Sequence, residues 1–580
     1  MLAALAGLAL AAAPAASAAP TLPLGHAGRW ITDADGRVVE LHGMNEVAKF
    51  PPYEPAATGF GEDDAAFLAA EGYNVVRVGV IWKALEPQPG VYDDAYLSSI
   101  AATVDTLGKH GIVSLVDFHQ DMWNERFQGE GAPDWAVQDD GLPHSPGLGF
   151  PGNYLAMPAV WRSFDHFWAN DPGPGGVGLQ DRYAAAWRHV AQRFAADKNV
   201  LGYDLLNEPW PGTQYPTCLV IAGCPLFDAQ LTSFTRRVIG AIRQVDPRTL
   251  AFYEPHVFFN NGVATTMGNV GDAHAAFSFH DYCLLASDVP VAALQGACGT
   301  FDGLVFSNAL ARAKQTGDAV MLTEFGATDD ATNLTEMTNL ADRDMVPWIE
   351  WAYTGNDPTT SGGGGAQAIV NDPRQPPTGA NLKAAKLKLL SRPYPQVVAG
   401  TPVSFGFDGR TFRLRYTTAR AGGGAPFGAG SVSEVATPAR QYPSGYAAQV
   451  DGGAILSAPG AEVLRIGSCP GATAISVTVA PTGTPSESCA AHAGARLRLR
   501  LIVSPRRAVA GRLTRFHVRV RAGGKPVRGA AVRLGGRRVR TNASGRATLR
   551  VRLRRSTHAV ASRAGMTGAR VTVRVSKRAT

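Results

Sequence analysis

Between Val38 and Tyr353, short apolar runs alternate with stretches of helical periodicity, and this alternation restricts the possible folds most. Val38–His42, Val75–Ile81, Ile112–His119, Tyr203–Glu208, Ala251–Glu254, Phe277–Tyr282, Val320–Glu324 and Trp348–Trp351 read as strands. Helical patterns fall between them over Asp63–Glu71, Asp94–His110, Asp181–Ala196, Asp228–Val245 and Leu304–Thr316. Several open with Asp, whose charge suits the N-terminal end of a helix dipole. Strands separated by helices pair in parallel. Eight such units over roughly 320 residues fit a closed (β/α)₈ TIM barrel with insertions better than an open sheet.

Two connections exceed ordinary loop length, Met122–Gly178 after the third strand and Trp210–Cys224 after the fourth. Both emerge at the barrel's C-terminal face, where active sites of this fold sit. The first carries Trp123, Phe127, Trp135, Phe150, Tyr154, Trp161, Phe164, Phe167 and Trp168. These aromatics either pack the insertion's own core or line a wall for an apolar ligand.

Past Arg392 no helical pattern returns. Thr401–Phe407, Thr411–Tyr416 and Gly453–Leu456 read as strands of a β-sandwich, and strict alternation over Phe516–Arg521 opens a second all-β unit. The expected class is therefore α/β: a TIM barrel over 20–390, a β-sandwich over 391–490 and an Arg-rich, Ig-like β domain over 491–580.

Residues 1–19 are almost wholly apolar and end in the small-x-small series Ala16-Ser17-Ala18, the pattern of a secretory signal peptide, although no Lys or Arg precedes the run. No other stretch has the apolar length of a membrane helix. The expected product is a secreted or cell-surface protein, soluble after cleavage. Six cysteines allow 15 pairings. Their clustering favours three local disulfides, Cys218/Cys224, Cys283/Cys298 and Cys469/Cys489. With no CxxC and no His at ligand spacing beside the cysteines, a zinc site is not expected, and no other metal or cofactor is expected either. The net charge of +7 is uneven: Ala490–Thr580 holds 25 Lys and Arg and no Asp or Glu, leaving 30 basic against 48 acidic residues elsewhere. Such a segment is either a solvated basic surface or a contact for anionic surfaces. No obligate protein partner is implied.

Two carboxylates end apolar runs. Tyr203-Asp204-Leu205-Leu206-Asn207-Glu208-Pro209 delivers Glu208 at the top of the fourth unit, where Pro209 stops the strand by removing a donor. Val320-Met321-Leu322-Thr323-Glu324-Phe325-Gly326 delivers Glu324 three units further round. Hydrolysis of a glycosidic bond needs this pairing, one carboxyl to protonate the leaving oxygen and one to attack the anomeric carbon from the other face. A separation near 5–5.5 Å gives a covalent intermediate and retention, whereas a wider gap admits water and inverts.

Asn207-Glu208-Pro209 and Thr323-Glu324-Phe325-Gly326 resemble the two signature ends of glycoside hydrolase family 5. The resemblance implies Glu208 as acid/base and Glu324 as nucleophile. It extends to Arg77, His119, His280, Tyr282 and Trp351. Asn207 would bond the sugar 2-hydroxyl, Arg77 and Tyr282 would hold Glu324 ionised, and Trp351 would floor the sugar ring. Within that family the chain is similar to the endoglycoceramidases over roughly Leu41–Tyr416, through His42-Gly43-Met44-Asn45, Lys49-Phe50-Pro51-Pro52-Tyr53, Asp117-Phe118-His119-Gln120-Asp121-Met122 and Trp351-Ala352-Tyr353. This implies glycan contacts from Lys49, Asp117, His119 and Asp121, and cleavage between glycan and ceramide of a glycosphingolipid. Two other readings stay open: a β-glycosidase acting on a steryl glucoside or β-glucan, and a surface glycan-binding protein without catalysis.

Overall fold

The computed structural model describes residues 19–220, 223–282, 292–354, 364–489, 499–522, 525–563 and 568–576. The expected signal peptide, Ala19 apart, lies outside the described residues. Among the described residues two of the expected disulfides are seen, Cys218–Cys224 and Cys469–Cys489. Cys298 is buried on helix Ala292–Thr316 and is disulfide-bonded, but Cys283, the partner that clustering assigns to Cys298, lies outside the described residues. Among the described residues no helix is long and apolar enough to cross a membrane.

The chain forms two compact units. In the first, three short strands, β1 (Gly25–Ala27), β2 (Trp30–Thr32) and β3 (Val38–Val39), precede a closed barrel. Its staves are β4 (His42–Glu46), β5 (Val75–Ile81), β6 (Val113–His119), β7 (Val200–Asp204), β8 (Leu250–Tyr253), β9 (Ala275–Asp281), β10 (Ala319–Phe325) and β11 (Trp348–Glu350). All neighbouring pairs run parallel, and β11 closes on β4.

One expected stave is displaced. Val38–His42 splits, with β3 pairing antiparallel to Tyr394–Val398 of the sandwich and the barrel strand beginning only at His42. Together β1, β2 and β3 extend a seven-stranded sandwich sheet, so the first residues of the 20–390 segment belong to that sheet. An apolar run does not reveal which sheet it joins. The entering segment also stoppers the barrel, because Leu24, Ile31, Val39 and Leu41 pack with Val75, Val113, Leu115, Leu250, Phe252, Ala276, Ala319, Met321 and Ile349. Each Val, Leu, Ile, Phe or Met side chain among them contributes about 1.5–3 kcal/mol on burial.

Successive strand residues face opposite sides, so these inward rows can be followed upward. Val75 leads to Arg77, Leu115 to Asp117 and His119, Phe252 to Glu254, and Ala276 to Ser278 and His280. The interior thus changes from apolar at its N-terminal end to charged at its C-terminal end, with Arg77, Asp117, His119, Glu254, Ser278 and His280 all buried. The other parity packs on helices: Phe118 stacks on Trp187 at 4.0 Å and meets Tyr183 edge-on at 5.3 Å, both on helix Leu179–Phe194. Helix Asp94–Lys109 starts where the Asp93 carboxylate accepts from the N–H groups of Ala95 and Tyr96.

Insertion Met122–Gly178 is folded around its own aromatics. Trp123 lies 4.8 Å from both Phe164 and Phe167, and Phe127, Tyr154 and Trp168 are also buried. These rings form a core, so the ligand-wall reading does not hold for them.

The sandwich's second sheet orders Thr401–Phe407, Phe412–Thr417, Ala474–Ala480, Ala447–Asp451 and Ser486–Ser488. The second unit is all-β, with two sheets closing over a core that includes Phe516, Val518, Val520, Val532, Leu549 and Val573.

Candidate active site

Arg77, wholly buried on β5, organises the charged end of the barrel. Its Nε donates to Asp204 at 2.9 Å, Nη1 to Glu324 Oε1 at 2.5 Å and Asn45 Oδ1 at 3.2 Å, and Nη2 to Asn207 Oδ1 at 3.0 Å and Glu254 Oε1 at 3.2 Å. Asp117 Oδ1 lies 3.0 Å from Nη2. Burial opposes the guanidinium's charge, but Asp117, Asp204, Glu324 and Glu254 overcome it and drive its pKa well above the usual value. One cation cannot neutralise all four carboxylates. Burial, with Glu254 and Asp117 adding to it against Arg77, pushes Asp204 up to about 8.

Glu324 is held at both oxygens, Oε1 by Arg77 and Oε2 by the Tyr282 hydroxyl at 2.8 Å. Glu208 lies across from it. A carboxylate oxygen of each, with a ring nitrogen of His280, fall within 4.8 Å of one another. His280 Nδ1 is 3.0 Å from Glu208 Oε1 and 3.5 Å from Glu324 Oε2, and its Nε2 is 3.3 Å from Glu254 Oε1. Burial disfavours an imidazolium there, yet Glu254 and Glu324 outweigh it and raise the His280 pKa well above the ordinary value. Burial likewise raises the Glu208 carboxyl, against the His280 bond and with the help of the Glu324 charge. The two carboxyls therefore differ in surroundings, one ion-paired to Arg77 and the other buried against Asn260, whose Nδ2 donates to Glu208 Oε1 at 2.6 Å.

β7 ends at Asp204, so Glu208 stands four residues beyond the strand on which the sequence placed it. Its left-handed φ of 43° is fixed by neighbours. Its N–H donates to Glu254 Oε2 at 2.9 Å and its carbonyl accepts from Gln120 Nε2 at 3.2 Å. Asn207 is anchored similarly, with Nδ2 donating to Gln120 O at 3.1 Å and Oδ1 accepting from Arg77.

A second polar group lines the adjoining wall. His119 Nδ1 meets Asp117 Oδ2 at 2.8 Å and its Nε2 lies 3.6 Å from Asp121 Oδ2. Lys49 Nζ pairs with Asp121, lies 3.5 Å from Glu130 and sits 4.5 Å above the Trp351 ring. Trp351 stacks on His119 at 5.2 Å and donates its indole N–H to Gln367 Oε1 at 2.8 Å. Burial and Lys49 oppose the His119 charge, but the Asp117 and Asp121 contacts prevail and push its pKa up to about 9. A cavity of about 240 Å³ opens beside Lys49 and Trp351, bounded also by Phe50, Thr58 and Thr354.

Among the described residues, His119–Asp121–Glu130 and Glu208–His280–Glu324 have the spacing of metal ligands. In both, the chain supplies its own cation, Lys49 at the first and Arg77 at the second. All eleven side chains expected at the site therefore converge on this end of the barrel. Sequence reasoning missed Glu254, Asn260, Asn45, Gln120, Asp204 and Glu130. Glu254 was within reach, since counting by two from Leu250 and Phe252 turns it inward.

The profile for the cellulase domain of glycosyl hydrolase family 5 matches residues 32–357, and that for the glycoside hydrolase family 5 C-terminal domain matches residues 392–479. The chain is similar to endoglycoceramidase I of Rhodococcus hoagii (strain 103S), 32% identical over 462 residues that cover 77% of this chain and 86% of the relative. Endoglycoceramidase of Hydra vulgaris is 29% identical over 422 residues, covering 67% of this chain and 76% of its own length. Among solved structures, the ganglioside GM3 complex of endo-glycoceramidase II from Rhodococcus sp. superposes with a TM-score of 0.64 at 27% identity, covering 78% of this chain and 99% of the other.

Proposed function

The chain belongs to glycoside hydrolase family 5, and from that membership we propose that it is a retaining endo-β-glycosidase releasing intact glycans from the ceramide of glycosphingolipids. The relatives named endoglycoceramidase and the GM3 complex of a structural neighbour support the substrate class. The observation that carries the mechanism is the approach of Glu208 and Glu324 oxygens to within 4.8 Å, closer to the separation for direct attack than to one that admits a water between them.

Glu324, oriented by Arg77 and Tyr282, attacks the anomeric carbon while Glu208 protonates the departing ceramide oxygen. Burial keeps that proton on Glu208 above the usual carboxyl range. Once Glu324 is esterified its charge is gone, one cause of the raised Glu208 pKa disappears, and Glu208 becomes the base that activates water. Asn207 offers its amide to the sugar 2-hydroxyl. Lys49, Asp117, His119 and Asp121 bind the glycan, and Trp351 presents its ring to the sugar.

The apolar leader and the disulfides Cys218–Cys224 and Cys469–Cys489 support export to an oxidising compartment. The acid-free, Arg-rich C-terminal domain supports contact with anionic surfaces.

Product analysis on lactosylceramide, a ganglioside, glucosylceramide, a steryl glucoside and cellulose tests the reading. Intact oligosaccharide plus ceramide is expected. Turnover of the steryl glucoside or cellulose alone would replace the substrate assignment, and glycan binding without turnover of any panel member would remove the catalytic one.

A further inference from the structure

In the second unit, strands Arg500–Ser504, Leu513–Ala522 and Arg546–Arg552 form a sheet whose buried side is Leu501, Val503, Phe516, Val518, Val520, Leu549 and Val551. Alternation turns every intervening residue outward. The register then sets arginine against arginine: Arg500 opposite Arg521, Arg519 opposite Arg546, and Arg515 opposite Arg550, with Arg552 beside Leu513. Arg500, Arg515, Arg546, Arg550 and Arg552 are exposed, and Arg519 and Arg521 are half-buried.

Like charges directly opposite on adjacent strands destabilise a sheet. Natural sheets relieve this by interleaving acids, but Ala490–Thr580 contains none. Seven guanidinium groups on one three-stranded face thus repel one another with no internal compensation. The rows repeat every second residue, about 6.8 Å, across strands about 4.8 Å apart, which is a planar positive grid. Two aliphatic side chains stand in it: Ile502, 40% exposed, opposite Arg519, and Leu513, 51% exposed, opposite Arg552. A soluble polyanion satisfies the arginines but has nothing to offer these two. A bilayer does both, with anionic headgroups at the guanidinium groups and the acyl boundary at Ile502 and Leu513. The opposite sheet carries as many arginines, including the opposed pairs Arg533/Arg538 and Arg507/Arg574, but among its described residues a single large aliphatic side chain is exposed, Val560 opposite Arg533 and Arg570, against the two of this face.

We infer that this arginine face is a docking surface for an anionic lipid bilayer. The inference rests on the reading of the C-terminal domain as a contact for anionic surfaces, and names the face and the kind of surface. It is independent of which glycosidic bond the barrel cuts.

The test compares the full chain with two variants of equal charge change. One replaces Arg515, Arg519, Arg546 and Arg550 by Gln, and the other replaces Arg533, Arg538, Arg570 and Arg574 by Gln. Co-sedimentation uses vesicles of phosphatidylcholine with and without phosphatidylglycerol, and inorganic polyphosphate serves as soluble polyanion. The parent chain should bind only the phosphatidylglycerol vesicles and lose that binding as salt rises from about 0.05 to 0.5 M. The first variant should weaken vesicle affinity at least ~10-fold and the second less than ~3-fold, as docking through a single face requires. Ile502→Ser with Leu513→Ser should weaken vesicle binding and leave polyphosphate binding unchanged.

Thermal unfolding separates a lost surface from a lost fold, because removing opposed arginines should leave the domain at least as stable. Equal loss in the two four-residue variants would overturn the face assignment while sparing the general charge reading. Binding to polyphosphate but not to vesicles would overturn the bilayer. No binding of the parent chain to either would overturn the anionic-surface reading itself. Hydrolysis of a soluble aryl lactoside, unchanged in every variant, keeps these outcomes apart from any failure of the barrel's chemistry.

Discussion

The backbone N–H of Glu208 donates to Oε2 of Glu254 at 2.9 Å, so a carboxylate ending the fifth barrel strand fixes the main chain that follows the fourth. Glu208 holds a left-handed φ of 43°, a conformation that costs a non-glycine residue about 1–2 kcal/mol. The other oxygen of Glu254 faces Arg77 and His280. Glu254 is thus a positioning residue. Glu254→Ala should lower kcat by ~10²-fold through displacement of Glu208, with KM changed less than ~3-fold. Glu254→Gln should recover part of the loss, because an amide oxygen still accepts from Glu208. A loss carried by KM, or no loss, would contradict this role.

The two carboxyls should fail differently. Glu208→Ala should slow hydrolysis of a natural glycolipid by ~10²–10⁴-fold, whereas a glycosyl fluoride, whose leaving group needs no proton, should still form the glycosyl-enzyme quickly and stall at its hydrolysis. Azide should then rescue it and yield a β-glycosyl azide. Glu324→Gln should be inactive on both substrates and unrescued to the β product. An α-azide from the Glu208 variant would show inversion and exclude the double displacement.

Burial and the Glu324 charge raise the Glu208 pKa above 4.5, which fixes the sign of the pH dependence. The protonated form is competent, so kcat/KM should fall as pH rises through the raised pKa. Glu208→Gln should erase that basic limb. In Glu324→Gln the neighbouring charge is absent, and a direct ¹³C titration of Glu208 should find its pKa lower than in the parent chain. An unchanged basic limb in Glu208→Gln would assign the limb to another group.

The barrel was legible because its signal is repeated: eight apolar runs with helices between them specify parallel closure even where single boundaries slip. Both carboxylates were legible for a related reason, since each follows an apolar run that places it at one end of the cylinder. What escaped depends on partners distant in sequence. Val38 and Val39 look like any barrel stave, and only the register against Val397 and Val398 puts them in the sandwich. Asn260 reaches Glu208 from a 3₁₀ turn over Val257–Asn261 with no period of its own. The aromatics of Met122–Gly178 had two readings, and burial decided for the insertion's core at Trp123, Phe127, Tyr154, Phe164, Phe167 and Trp168.

The Lys49 cluster joins binding to stability. Lys49 pairs with Asp121 and faces Glu130, and all three are buried. Lys49→Met would remove the ammonium that pairs with buried Asp121, and such one-sided removal of a buried pair costs about 3–5 kcal/mol. His119 is the remaining cation there. Its folded pKa of about 9 exceeds the ordinary 6.5, so its contribution to stability is complete below 6.5 and disappears as pH climbs through 9. The variant leans on that imidazolium, whereas the parent chain also has Lys49. Because Lys49 opposes the His119 charge, its removal raises the His119 pKa further, so the stability deficit of Lys49→Met should hold level from about pH 6 to 8 and widen above about pH 9, where the parent imidazolium is lost first, read as the difference in urea midpoint followed by tryptophan fluorescence. A deficit that stays constant up to about pH 10 would mean that His119 is not charged beside Asp117 and Asp121, and that Lys49 acts there through packing on Trp351 alone.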